Sequence, residues 1–334
     1  MSESAFASAV AATPHIEYRR LDASEPLPQA MLGAVIFGAS PRPQTDPRCV
    51  RVGLIPLRGS GIVELWHADG FVQTGFDGLI RYCADRHHLA GAIELDERRF
   101  RGLQGTTEAA YTALRRFLAA SAYRHPLRIW NYFDGINRGE GDAERYKLFC
   151  LGRTAGSGTQ GSGDFPAATA IGRRDGNHTL QVYWLAGRAP GLPLENPRQI
   201  SAYCYPRQYG PAAPSFSRAM LVSERLVMIS GTASIVGHAS HHPGDVRAQL
   251  NEVLINLTSV LRRACALAPR LPPQLGASSL LKFYLRDAAS VDLVETLLRE
   301  RLPPQTPYMI LEADICRAEL LIEADCLHAA PSPV

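Results

Sequence analysis

The chain has 334 residues, 46% of them apolar, enough to bury a large core and, at about 100–200 residues per domain, to form two domains. Its 35 basic and 32 acidic residues leave a net charge of +3, which provides no broad field for nucleic acid or an anionic membrane surface. Seven cysteines without a CxxC pair argue against a disulfide framework and against a cysteine-rich metal site.

The opening stretch "MSESAFASAVAATPHIEYRR" has no basic start followed by a continuous apolar run, and no segment reaches about 18 apolar residues. The expectation is a cytoplasmic protein, in which the sequons at Asn177 and Asn256 carry no weight. After an elaborated beginning, "AGAIELDE" reads as a strand, "TTEAAYTALRRFLAASA" as a helix, "LRIWNYFDGIN" as a strand and "DAERYKLFCLGR" as a helix. The loose segment "TAGSGTQGSGD" follows, and then "FPAATAIGRRDGNHTLQVYWLAG", two strands joined by a turn. "GRAPGLPLENPRQ" is rich in Pro and Gly and divides the chain into units 1–190 and 198–334.

In the second unit "RLVMISGTASIVG" is an apolar, β-rich run and "HASHHPGD" a polar loop. Asp245 N-caps a helix whose Leu250, Leu254, Leu257 and Leu261 recur at helical spacing. "SLLKFYLRD" is a strand, "SVDLVETLLRERL" a helix capped by Ser290, and "PYMILEADICRAELLIEADC" a strand, a turn and a closing strand. Both halves therefore read β-α-β-α-β-β, an α+β class built by internal duplication. Setting Pro166 against Pro307 places Tyr183 opposite Glu323, so only the second copy carries that carboxylate.

Several motifs point nowhere. The literal GxGxxG from Gly156 to Gly161 is followed by a proline where a dinucleotide-binding helix should begin, so it reads as a loop. His238, His241 and His242 lie in a Gly/Pro loop without a matching ligand cluster and read as solvated. No G-x-S-x-G elbow is present, which leaves a Ser-His-Asp hydrolase little support. Glu323 is different. A carboxylate inside the apolar run "LLIEADC" loses hydration and needs a partner or a use.

The order "ISGTASIVG", "GDVRAQLNEVLINLTSVL", "LLKFYLRD" and "PYMILEADICRAELLIEADC" resembles the RidA/YjgF fold. Together with "RIWNYFDGIN", "ERYKLFCLGR", "FPAATAIG", "NPRQISAYCYPRQYGP", "PSFSRAML" and "SGTASIVGH", the chain is similar to the chorismatase family from about Leu127 onward. That resemblance implies two RidA-like domains in tandem, the N-terminal one divergent, and release of pyruvate from chorismate without metal or organic cofactor. It puts Glu323 at the family's acid position, suited to protonating an enol ether because desolvation keeps a carboxyl protonated. It puts Cys316 at a position where hydroxybenzoate-forming members have cysteine. Those members have glycine at a small-residue position near "SGTAS"; placed at Ala233, beside Thr232, this chain departs and resembles a branch making both 3- and 4-hydroxybenzoate.

Two substrate carboxylates call for guanidinium forks, and the candidates are Arg207, Arg153, Arg145 and Arg286, with Tyr203, Tyr205 and Tyr209 as hydroxyl donors near Arg207. The alternatives are a RidA-type imine deaminase, weakened by Met309 where that activity relies on arginine, and a non-catalytic small-ligand binder. The chain is read as a monomer or a RidA-like homotrimer, with no nucleic-acid or membrane partner.

Overall fold

The computed structural model describes residues 13–20, 25–38, 46–59, 61–158 and 164–331. The N-terminal stretch supplies strands Ile16–Arg20 (β1), Met31–Phe37 (β2), Cys49–Val52 (β3), Ile55–Pro56 (β4) and Ile62–His67 (β5), of which four form a sheet in the order β1-β5-β2-β3. Next come Gln73–Asp77 (β6), Ile80–Ala84 (β7), His88–Asp96 (β8), helix Gly102–Ala120 (α1), His125–Asp134 (β9), helix Arg145–Ser157 (α2), Ala167–Arg173 (β10) and Thr179–Gly187 (β11). The linker supplies Leu192–Leu194 (β12), and the second unit contains Ala219–Ser223 (β13), Leu226–Ala233 (β14), Ile235–Val236 (β15), Ala239–Ser240 (β16), helix Val246–Leu267 (α3), Ser279–Leu285 (β17), helix Val291–Arg301 (α4), Tyr308–Glu312 (β18) and Ile322–Ala329 (β19).

The two large sheets share one topology. The first runs β10-β9-β11-β8-β7-β6, and the second, read in the same sense, β4-β18-β17-β19-β14-β13-β12. In each, the strands flanking the second helix pair in parallel, and the last strand inserts antiparallel between its neighbours. The α+β class and the tandem β-α-β-α-β-β order expected from the sequence are the ones found. Strands from outside the second unit flank its sheet: β12 comes from the linker and β4 from the first sixty residues.

Helices cover the outer faces. Leu250, Val253, Leu257 and Leu261 of α3 pack on the second sheet, while Leu103, Ala110, Leu114 and Leu118 of α1 pack on the first, the i, i+3/i+4 spacing that sets one apolar face of a helix toward a core. Asp245 caps α3 by accepting the Ala248 amide at 3.0 Å. Ser290 stands at the N-cap of α4 but makes no capping bond; Asp287 caps the short turn just before it, through the Ala289 amide. In α2, Gly152 and Gly156 face α1 so closely that a Cβ would lie 2.2 Å from the Gln104 carbonyl and 2.5 Å from that of Glu108. Gly156, read in the sequence as part of a loop, thus belongs to a helix contact, and residues 159–161 of that GxGxxG lie outside the described residues.

A third core fills the space between the inner faces of the sheets. Trp130, Tyr132 and Tyr183 from the first, Met228, Tyr284 and Leu327 from the second, and Val35 and Trp66 from the N-terminal sheet meet there. Tyr183, opposite Glu323 in the sequence alignment of the halves, stacks on Trp130 at 4.8 Å between ring centres. No described helix is long and apolar enough to cross a membrane.

Candidate active site

The seam between the two units opens into a cavity of about 400 Å³. Its walls come from α2 (Tyr146, Cys150, Arg153), β10 (Ala168 to Ala170), the segment 205–218, β14 (Gly231, Ala233), the turn 316–319 and Glu323 of β19. A bulge in β14 builds the floor. The register against β19 shifts between Ile229 and Thr232, which frees Ser230 and Gly231 to turn toward β10. Ser230 Oγ accepts the Ala168 amide at 2.9 Å, and the Gly231 amide donates to Thr169 Oγ1 at 2.9 Å. A Cβ on residue 231 would sit 2.0 Å from Glu323 Oε1, so only glycine leaves room for the carboxyl.

Glu323 is 5% exposed and, among the described residues, no hydrogen bond or ion pair reaches its carboxyl. Burial, then the charge of Asp325, pushes its pKa up to about 8, against the opposing pull of Arg128 and Arg218. The group therefore carries a proton at neutral pH. Cys316 lines the same wall; burial first and Glu323 second hold its thiol far above the usual range, so it is a neutral, weakly polar surface. Cys150 is pushed up to about 12 by burial, and Tyr146 is raised well above its ordinary value by burial and by the nearby Cys150, Cys316 and Glu323.

Three guanidinium groups surround this acid without an ion pair among the described residues. Arg153 lies over the Tyr111 ring at 5.0 Å. Arg218 donates to Tyr205 Oη at 2.7 Å and to the Ile200 carbonyl at 2.8 Å. Arg317 stacks over the Tyr209 ring at 3.8 Å and donates to the His238 carbonyl at 2.9 Å. Cations held on aromatic faces and carbonyls keep donors available for an anionic guest. The cavity thus joins a protonated acid to a ring of positive charge, the pairing needed to protonate a substrate that bears carboxylates.

Of the residues singled out from sequence, Glu323, Cys316, Arg153, Tyr205, Tyr209 and Ala233 line the cavity. The others do not. Arg207 is exposed and pairs with Asp142 at 3.0 Å. Arg145 is clamped by Glu97 at 3.0 Å, and Arg286 is spent on Asp314 at 2.6 Å and on the carbonyls of Leu320, Ile315 and Arg317. Tyr203 packs on Phe165 at 5.3 Å, and Thr232 turns its hydroxyl back to the Ser230 carbonyl. Arg218 and Arg317 were missed because arginines in coil segments carry no local pattern. His238 bonds Tyr209 Oη at 3.2 Å, and His242 faces Glu252. Among the described residues the group with metal-ligand spacing is instead His15, Glu17 and His67, on and beside β1 and β5 and outside the cavity wall.

The family described as Chorismatase FkbO/Hyg5-like, N-terminal, matches residues 64–186. The chain is 32% identical over 291 residues to a 3-hydroxybenzoate synthase of Streptomyces hygroscopicus, covering 83% of this chain and 84% of that one. It is 34% identical over 281 residues to a chorismatase of Streptomyces rapamycinicus, covering 78% and 80%. A crystal structure of a chorismatase superposes with a TM-score of 0.83 at 28% identity, over 96% of this chain and all of that one.

Proposed function

The chain belongs to the chorismatase family, and on that premise we propose that it converts chorismate to pyruvate and 3-hydroxybenzoate, with Glu323 as the acid that starts the reaction. The observation that carries this reading is the unpartnered, proton-bearing Glu323 at the floor of a cavity ringed by Arg153, Arg218 and Arg317. Glu323 delivers its proton to the terminal carbon of the enolpyruvyl ether, leaving positive charge shared between the adjacent carbon and the ether oxygen. The neighbouring ring hydroxyl then attacks the ring carbon that carries the ether. The ring C–O bond breaks, its electrons make the carbonyl of pyruvate, and the hydroxyl proton is released to the Glu323 carboxylate. The resulting arene oxide opens and loses a ring proton, giving the aromatic acid. No water is consumed and nothing is oxidised.

Cys316 and Ala233 shape the side of the cavity beside the acid, and a neutral thiol there holds water poorly, which favours the internal hydroxyl as nucleophile. Opening of the arene oxide toward the other ring carbon gives 4-hydroxybenzoate, so a mixed product fits the same site. The imine-deaminase alternative finds no support at residue 309, since Met309 is 2% exposed in the inter-sheet core.

The test is incubation of purified protein with chorismate, with pyruvate assayed and the aromatic products separated by chromatography. Glu323→Gln is expected to lower turnover by about 10²–10⁴, the usual size of a general-acid contribution, while leaving chorismate binding in place. Turnover within a few-fold of wild type would remove Glu323 from the mechanism.

A further inference from the structure

Directly beneath the acid lies a second carboxylate that the chemistry above does not use. Asp325 is two residues along β19, so it points to the same face as Glu323, about 7 Å away along the strand. It is 1% exposed and heavily coordinated. Its Oδ2 accepts from Trp130 Nε1 at 2.9 Å, Tyr284 Oη at 2.9 Å, Thr169 Oγ1 at 3.1 Å and Arg128 Nη2 at 3.1 Å. Its Oδ1 lies 3.7 Å from Lys282 Nζ, which is itself bonded to Glu64 at 2.7 Å. Donors and cations meet both oxygens, the environment of a carboxylate. A buried ion pair is weak evidence for stability, since well-packed apolar side chains serve as well or better. Five residues from two sheets spent on one buried carboxylate call for another reason.

We propose that Asp325 is a positioning residue for the reaction, a fixed negative charge that keeps the proton on Glu323 until substrate takes it. The arrangement has a direction. Thr169, which donates to Asp325, also receives the Gly231 amide, so the same hydroxyl ties the buried carboxylate to the bulge that seats Glu323. Arg128 neutralises Asp325 from the β9 side, and of the two charges Asp325 acts more strongly on Glu323. The cavity around Glu323 also holds Arg218 from the segment before β13, Tyr146, Cys150 and Arg153 of α2, and Cys316, Arg317 and Glu319 of the turn. The two thiols and the phenol are neutral at working pH, so Asp325 opposes Arg128 and Arg218.

The inference rests on Glu323 being the acid, and the experiment separates the two ideas. In a pH profile of kcat/KM, Asp325→Asn is expected to move the falling alkaline limb down by about one to two pH units, the size of a unit charge near 7 Å in a partly screened interior. Activity at pH 6 stays within about twofold while that at pH 8 drops about tenfold or more, a pattern that general damage to the fold does not produce. Because Asp325→Asn leaves Arg128 and Lys282 under-neutralised, the paired variant Asp325→Asn with Arg128→Met removes one charge of each sign. Its limb is expected about half a unit below wild type, since the stronger influence is lost with the weaker. A folded Asp325→Asn protein with an unmoved limb, or a paired variant at or above wild type, overturns the role. If Glu323→Gln retains turnover, the acid assignment fails instead. The role of Asp325 is then read from stability, as the pH range over which Glu323→Gln gains on its parent, with Asp325 intact and with Asp325→Asn; an unchanged range overturns it.

Discussion

The raised proton affinity of Glu323 has a thermodynamic consequence that needs no substrate. In the unfolded chain this carboxyl titrates near 4.5, whereas in the folded protein it holds its proton to about pH 8. Between those values the folded state binds more protons than the unfolded one, so stability is fully present below about pH 4.5 and is lost as pH rises through 8. Glutamine at the same site has no such dependence. Taking 1.36 kcal/mol per pH unit of difference, the advantage of Glu323→Gln over wild type should grow by about 4 kcal/mol between pH 5 and pH 9. The difference between the two proteins is the useful quantity, because every other titrating group contributes to both. Urea titrations of wild type and Glu323→Gln at pH 5, 7 and 9 measure it, with thermal midpoints as a second readout. A difference that stays constant across that range would show that Glu323 is not held protonated by the fold, and the assignment of the acid would lose its physical basis.

Further predictions concern the neighbours of the acid. Arg218→Gln and Arg153→Gln should each lower kcat/KM by about 10- to 150-fold, the loss of one charge-assisted hydrogen bond, while Arg207→Gln should stay near wild type because its partner is Asp142. Gly231→Ala should abolish most turnover in a protein that still folds, since the new methyl occupies the place of Glu323 Oε1; near-normal kinetics would mean that the carboxyl works from another rotamer. Cys316→Ala should keep pyruvate release and cut the share of 3-hydroxybenzoate, with a non-aromatic diol or 4-hydroxybenzoate gaining. Reaction in ¹⁸O-water should leave wild-type 3-hydroxybenzoate unlabelled, and solvent oxygen in that product would exclude the internal hydroxyl as nucleophile.

Glu323 was legible because a charged residue in an apolar strand breaks a pattern that burial otherwise enforces. The helices were legible for the same reason: Leu250, Leu257 and Leu261 repeat at the spacing of one helical face, and Asp245 announces its cap. Of the arginines lining the cavity, Arg153 was legible, and Arg218 and Arg317 were not. Arg207, Arg145 and Arg286 look available in the sequence, yet their partners Asp142, Glu97 and Asp314 lie many residues away and meet them only after folding. Arg218 and Arg317 reach the cavity because the segments carrying them, 205–218 and the turn 316–319, form part of its walls, which no local spacing encodes. The N-terminal sheet was equally hidden, since its order β1-β5-β2-β3 pairs β5 with β1 and β2, strands that are not its neighbours in sequence.

The small strand β4 has a consequence for how the chain acquires its structure. Pro56 and Ile55 pair with Leu311 and Glu312, and the Leu57 amide bonds the Ile310 carbonyl at 2.8 Å, so the edge of the second sheet is closed by residues made early in synthesis. On the ribosome this segment must wait for almost the entire chain before its partner emerges. Such distant pairing raises contact order and slows folding. Until it forms, β18 offers an open edge to any neighbouring chain, the geometry from which aggregates grow. The N-terminal segment thus acts as a late fastener, and expressing the second unit alone should yield a sticky, poorly soluble fragment, even though Glu323, Cys316 and the other cavity-lining groups of that half are present.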